Sequence, residues 1–339
     1  MLHPYITLIN IGIIGNEKCN IRVYPYVRFY YYIVVGVNKM IDIIGVTAKI
    51  EKLLEDQIWY KKLILEVPNE LDKIKLKKTL INRAVGIHTS ISDNEEKQIF
   101  EKLLSEIDIL TLSDYQHLVN KCYLQLRDKY PSIEKFYIVP LLKVTDSESL
   151  KVKSGLFVSY LFNTYQFSLI NEMEGLKDVQ IIIKRYLRNE DVEKILNDEK
   201  SFIVFIDDFV GTGRTVTNVY NSYEKIPEMK QFDWRRSTCV LSLSILDKGL
   251  NLLESEKISV IFGLKHTNIP LKFNNELELK NIMKMIERIS KKSNVRKDLT
   301  YGYGGCLSTI ITIRTPNNNI PFLWTKGLKT SKALFVRNG

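Results

Sequence analysis

Cysteine and histidine are scarce in this chain, with four of each in 339 residues. Cys19, Cys122, Cys239 and Cys306 are widely scattered and make no CxxC pair. That spacing argues against a disulfide framework and a zinc ribbon, and fits a reducing, cytoplasmic setting. His3, His88, His117 and His266 are equally isolated, so a metal centre built from protein ligands is not expected. Long hydrophobic runs are missing too. The best apolar stretch near the start, Phe29 to Val37, falls far short of the roughly 20 residues that a membrane helix needs. It also lacks a signal peptide's order of basic start, apolar core and small-residue cleavage site. No membrane association is expected.

What is present suits a globular chain. Hydrophobic residues make up 45% of the composition, and the length allows one large domain or two modest ones. The formal charge of +10 invites a nucleic-acid reading, yet most Lys and Arg residues alternate with Glu and Asp, as on any solvated surface. One cluster is sharper. Lys280, Lys284, Arg288, Lys291 and Lys292 recur at near-helical spacing, Arg296 and Lys297 follow, and Ile282, Met285, Ile286 and Ile289 form an opposing apolar stripe. This pattern describes either a surface for RNA or DNA phosphates or, as the favoured alternative, the solvated face of an amphipathic helix.

Three regions follow along the chain. Residues 1–39 crowd six tyrosines into a segment with one acid, Glu17, whereas Met40 begins a conventional sequence. Met40 is therefore expected to be the native start, an idea that abundant peptides from before Met40 in native mass spectra would sink. Residues 40–132 read as a helical N-terminal region: Ile50, Leu53, Leu54, Ile58 and then Ile99, Leu103, Leu104, Ile107 recur every three or four residues. Ser113 to Lys129 repeats the pattern behind an expected Ser113 N-cap. A scaffold or docking role suits this region, which holds no catalytic constellation.

Residues 133–339 read as α/β. Strands are expected at Phe136–Leu142, Gln180–Arg185, Phe202–Ile206, Cys239–Leu246, Val260–Leu264 and Leu307–Ile313. Helix-length segments between them argue for a largely parallel sheet. Val144–Gly155 reads as a loop, with Lys153, Ser154 and Gly155 as its basic, flexible end.

The segment Ser201 to Tyr220, SFIVFIDDFVGTGRTVTNVY, is the most informative part of the chain. Phe202 to Ile206 is continuously apolar, which suits a central strand covered on both faces. Asp207 and Asp208 fall at the expected strand end, where open α/β sheets bind ligands. Paired carboxylates can accept hydrogen bonds from two vicinal ribose hydroxyls. Gly211, Thr212, Gly213, Arg214 and Thr215 then form a tight turn whose N–H groups converge at a helix N-terminus, a nest for a phosphate dianion. The turn is too short for a Walker loop and lacks the glycine spacing of a dinucleotide loop.

This segment resembles the phosphoribosyl-pyrophosphate (PRPP) motif of type I phosphoribosyltransferases. The resemblance implies that Asp207 and Asp208 hold the ribose 2′ and 3′ hydroxyls and that Thr212 to Thr215 cradle the 5′-phosphate. Lys153, with Ser154 and Gly155, would neutralise the leaving pyrophosphate, and Mg²⁺ would arrive with the substrate rather than on protein ligands. Family members that salvage purines usually carry an acid just before the Thr-Gly pair. Gly211 stands there instead and weakens a purine-salvage reading. Phe209 is bulkier than the usual aliphatic residue.

The C-terminal stretch adds Tyr301, Gly302, Tyr303, an apolar strand, and Thr315 to Trp324. With Lys153 to Gly155 and the central motif, it resembles the phosphoribosyltransferase-like effectors of bacterial conflict systems, found in anti-phage loci including some retrons. That implies a toxic enzyme transferring or cleaving at C1′, held in check by partners such as a reverse transcriptase with its RNA–DNA, or another defence subunit. Trp324 is a candidate for stacking on a nucleobase, or else a core contact. The acceptor remains open among a base, a nucleotide, a macromolecule and water. The alternative function is a PRPP- or nucleotide-sensing, or nucleic-acid-associated, subunit without catalysis, and a third reading is a structural subunit with a vestigial site.

Overall fold

The structure, a computed structural model, describes residues 42–142, 154–162, 166–227, 230, 233–273, 275–313, 315–325 and 332–335. Lys153, most of the expected loop that it closes, and the whole 1–39 segment lie outside the described residues. The chain divides into two compact units, Met1–Ala48 and Lys49–Gly339. In the first unit the described residues, 42–48, are helical.

The second unit opens with helical residues 49–56, followed by α1 (Ile58–Leu65), α2 (Glu70–Ser90) and α3 (Asn94–Ser105). Then come β1 (Asp108–Ile109), α4 (Leu112–Lys129), β2 (Lys135–Pro140), α5 (Ser154–Leu161), α6 (Gln166–Met173), β3 (Gln180–Ile183) and α7 (Asn189–Leu196). The remainder runs β4 (Ser201–Val210), α8 (Arg214–Glu224), α9 (Trp234–Ser237), β5 (Thr238–Leu246), α10 (Asp247–Ser255), β6 (Val260–His266), α11 (Ile269–Lys272), α12 (Glu276–Lys292) and β7 (Ile310–Ile311). Among the described residues no helix is long and apolar enough to cross a membrane.

Five strands form one parallel sheet in the order β3-β2-β4-β5-β6. The expected central strand is therefore present, with β4 between β2 and β5. In β4, Phe202, Val204 and Ile206 face one core cluster and Ile203 and Phe205 the other. That two-sided burial explains why this strand reads as an unbroken apolar run. Tyr115, Leu118, Val119, Cys122 and Leu126 of α4 cover the first face, with Val158 of α5 and Phe167 of α6. Val216, Val219, Tyr220 and Tyr223 of α8, with Trp234 and Leu253, cover the second. After β2 the chain steps outward to β3, returns to β4 and then proceeds the other way. The strand order thus reverses between β2 and β4, the place where such sheets open a crevice at their carboxyl ends.

Several expectations need adjusting. The N-cap of α4 is Thr111, not Ser113: Asp114 Oδ2 accepts from the Thr111 backbone N–H at 2.8 Å, and Thr111 Oγ1 accepts from Asp114 N–H at 3.4 Å, a reciprocal capping box. Ser154 and Gly155 form the first turn of α5 rather than a loop. Gly155 permits this because a Cβ there would lie 2.8 Å from the Ile206 carbonyl oxygen, so only glycine lets the helix start against β4. The strand expected at Leu307–Ile313 shrinks to Ile310–Ile311, which pairs with β1 outside the main sheet. Its flanks are drawn elsewhere: the Leu307 N–H donates to the Tyr301 carbonyl at 2.9 Å and the Ser308 N–H to that of Asn318 at 3.2 Å.

Candidate functional site

The motif strand β4 continues to Val210, so Asp207 and Asp208 lie inside its last turns of pleat rather than beyond them. Successive strand residues face opposite sides. Asp208, in phase with Phe202, Val204 and Ile206, is buried on the side covered by α4. There Tyr115 Oη donates to Asp208 Oδ2 at 2.8 Å. Asp207 faces the crevice and accepts at Oδ1 from Ser154 Oγ at 3.2 Å and from the Asp208 N–H at 3.0 Å.

Two adjoining compartments make up the cleft. One, of about 250 Å³, is lined by Asp207, Gly211, Thr212, Gly213, Thr215 and Val216 from the motif, with Tyr303, Asn317 and Asn318 opposite. The other, of about 290 Å³, is lined by Ser154, Asp207, Asp208, Thr312, Thr315 and Asn317 among others. Both share Leu141, Asp207, Phe209, Thr215, Asn317 and Asn318, so they are halves of one crevice.

The first compartment has a backbone geometry that can accept an anion. Gly213 takes φ +75°, a left-handed conformation that glycine adopts without strain, and serves as the N-cap of α8. The first N–H groups of a helix lack intrahelical acceptors, and of the residues at this helix start Gly213, Thr215 and Val216 line the compartment. The Arg214 N–H reaches Thr212 Oγ1 at 3.4 Å. Arg214 itself lines neither compartment, and its side chain is exposed. Among the described lining residues there is no Lys or Arg. Bound negative charge would therefore rely on peptide dipoles and an accompanying cation.

Electrostatics single out Asp207. Burial, and then the neighbouring Asp208 charge, push Asp207 well above the usual carboxylate range, with Ser154 and the Asp208 N–H opposing. Tyr115 is likewise raised far above an ordinary phenol, first by burial and then by the Asp208 carboxylate. It is thus a neutral donor to Asp208.

Asn318 and Tyr303 complete the cleft, and neither carries a role on sequence grounds. The Tyr303 N–H donates to the Asn317 carbonyl at 2.7 Å, and Asn318 Nδ2 donates to the Tyr303 carbonyl at 3.2 Å and approaches Cys306 Sγ at 3.4 Å. A Cβ on Gly211 would lie 2.6 Å from Asn318 Cγ and Nδ2. The position where purine-salvage members carry an acid is therefore filled from across the cleft by a neutral amide. Asn318 is the middle one of three consecutive asparagines between Pro316 and Pro321, and only the chain's return over the Gly211 turn gives it this place.

Other candidates fall outside the cleft. Trp324 is half-buried and lines neither compartment, and its indole Nε1 donates to the Asn319 carbonyl at 2.9 Å. Tyr303, 38% exposed, is the aromatic side chain at the cleft besides Phe209. Lys280, Lys284, Arg288, Lys291 and Lys292 are exposed on α12, and Ile282, Met285, Ile286 and Ile289 are buried, as the amphipathic pattern predicts. Arg288 pairs with Glu96 at 3.2 Å, and Lys292 Nζ donates to the Ser90 carbonyl at 3.2 Å. None of the five lines the cleft.

A parallel sheet with a crevice at its strand-order reversal, tandem acids and a phosphate-type turn defines a type I phosphoribosyltransferase-like protein. Residues 90–337, well over half of the chain, match the PRTase-CE family, and the chain belongs to that family. No curated protein matches it in sequence. Among solved structures, it is similar to the hypoxanthine-guanine phosphoribosyltransferase from Schistosoma mansoni in complex with IMP. That match has 14% identity and a TM-score of 0.27, over 45% of this chain and 65% of that one. A hypoxanthine-guanine-xanthine phosphoribosyltransferase matches at 16% identity and a TM-score of 0.27, over 50% of this chain and 89% of the other.

Proposed function

We propose that the cleft binds PRPP, or a related ribose phosphate, together with Mg²⁺, and that the protein transfers or cleaves at C1′. The observation that carries this reading is the meeting of both motif carboxylates with the α8 N-terminus in a single crevice at the strand-order reversal. The turn from Thr212 to Thr215 anchors the 5′-phosphate through backbone N–H groups. Asp207 and Asp208 orient the ribose hydroxyls. The described residues contain no cluster of three or more His, Cys, Asp or Glu side chains able to hold a metal ion. Such a set would fit an ion held chiefly by the substrate's own phosphate oxygens, and Asp207, which accepts from Ser154 Oγ, is the cleft carboxylate that could assist. When bound, Mg²⁺ supplies charge neutralisation to the departing pyrophosphate. The C1′–O bond breaks with its electron pair leaving on pyrophosphate, and the acceptor's lone pair forms the new bond to C1′. Lys153 remains the proposed further cation at the leaving group.

The biological reading follows the resemblance of Tyr301–Tyr303 and Thr315–Trp324: a toxic effector of bacterial anti-phage defence, of the retron kind, restrained by a partner complex. The packing of Asn318 against Gly211 favours keeping a second reading, a PRPP-sensing subunit. An amide at that place accepts hydrogen bonds but takes up no proton from an acceptor. Pyrophosphate release distinguishes an enzyme from a sensor. The primary test is calorimetric titration with PRPP and Mg²⁺. Micromolar binding, about 8 kcal/mol, that Asp207→Asn/Asp208→Asn loses while staying folded supports the site. Equal binding by that double variant refutes it.

A further inference from the structure

We propose that Tyr115, in the helical region preceding the sheet, is a positioning residue of the ribose site, holding Asp208 in its working orientation. The inference rests on the ribose-phosphate reading. Tyr115 stands in the apolar stripe of α4 with Leu118, Val119 and Cys122, and its ring is buried. Its hydroxyl is more than a core atom. It donates to Asp208 Oδ2 at 2.8 Å and accepts from the Ile313 N–H at 3.3 Å, and the Thr312 side chain bonds to it as well. Ile313 and Thr312 precede Thr315 to Asn318, which form the opposite wall of the cleft.

One phenol therefore ties three things together: a carboxylate on β4, the chain that covers the cleft, and α4 itself. The strand alternation explains why it is needed. Both acids line the crevice, but Asp207 takes its hydroxyl donor from Ser154 of α5, whereas Asp208, in phase with the strand residues that α4 covers, takes its donor from α4. Tyr115 holds Oδ2 and the Asp207 side chain also bonds to Asp208, so the lone pairs that remain on this carboxylate are the ones that can accept from a ribose hydroxyl. A buried carboxylate that loses its donor is free to swing about its χ torsions, and that removes the positioned acceptor. Ser154 and Tyr115 thus form a matched pair of hydroxyls, one for each acid, delivered by different helices.

The test compares two probes on the full-length protein, ribose 5-phosphate and inorganic phosphate. Tyr115→Phe removes the oxygen and keeps the ring, which packs beside Phe157 at a centroid distance of 6.1 Å. It is expected to weaken ribose 5-phosphate binding about ten-fold, as for one hydrogen bond to a charged group. Inorganic phosphate, which needs only the α8 turn, should keep its affinity. In an Asp208→Asn background the same substitution should add little, because its effect runs through that carboxylate. Phe157→Leu disturbs the same packing without touching the hydroxyl and should not reproduce the loss.

Equal weakening of both probes would mean that Tyr115 acts only through the fold, and would overturn the proposal. So would unchanged ribose 5-phosphate binding by Tyr115→Phe, or full additivity with Asp208→Asn. A wild-type protein that binds neither probe would overturn the ribose-phosphate reading itself, and the role of Tyr115 with it.

Discussion

Gly211→Ala tests how the cleft is closed. The new Cβ would stand 2.6 Å from Asn318 Cγ and Nδ2 and 2.7 Å from Oδ1, where ordinary contact begins near 3.4 Å. The amide must therefore retreat by roughly 1 Å to restore carbon–carbon contact distance. It has little room to do so: Asn318 is 8% exposed, and its Nδ2 is committed to the Tyr303 carbonyl and to Cys306 Sγ. Overpacking of this kind costs about 1–3 kcal/mol. Losing one of the amide's hydrogen bonds costs about 1 kcal/mol more. A total of about 2–4 kcal/mol is expected, read as a lower denaturation midpoint with an unchanged slope. Asn318→Ala removes all three clashing atoms, so in that background Gly211→Ala should cost far less than on its own, a coupling visible in a double-mutant cycle. A wild-type midpoint for Gly211→Ala would refute the reasoning. A penalty that persists in the Asn318→Ala background would do the same.

Two further predictions concern charge. Because the folded protein raises Asp207 above its ordinary value of 3.8, stability associated with its protonated form is fully present below that value. It is lost as pH rises through the folded-state value. Asp207→Asn should thus be as stable as wild type in acid and increasingly more stable towards neutral pH; melting curves with parallel pH dependence would contradict this. Reversing Lys280, Lys284 and Lys291 to Glu on the exposed face of α12 should change stability by about 0.5 kcal/mol or less per substitution, with Lys291, in the last turn, costing the most. Anisotropy with a labelled single-stranded oligonucleotide then decides the nucleic-acid reading: a salt-dependence slope lowered by about two relative to wild type supports it, and an identical slope rejects it.

Local chemistry made much of this protein legible. Phe202 to Ile206 announced a strand covered on both faces, because no half-exposed strand can be apolar at every position. The Gly-Thr-Gly turn announced a helix N-terminus, and Gly213 at φ +75° is the residue that turn requires. The apolar stripe of α12 was equally clear, since its period is a property of the helix alone. Each of these depends on neighbours within a few residues.

What the sequence left unread depends on residues brought together from far apart. Tyr115 lies 93 positions from Asp208 and reads as one more core residue of α4, because its ring does belong to the core. Asn318 is one of three consecutive asparagines with no role of its own until the chain folds it over Gly211. Trp324, the aromatic that sequence position favoured, turns its indole to the Asn319 carbonyl, while Tyr303 lines the cleft. A linear pattern specifies which groups are available and which local shapes they favour. Which hydroxyl meets Asp208, and which side chain fills the space beside Gly211, follows from long-range packing, because a side chain's partner is set by the elements that meet around it.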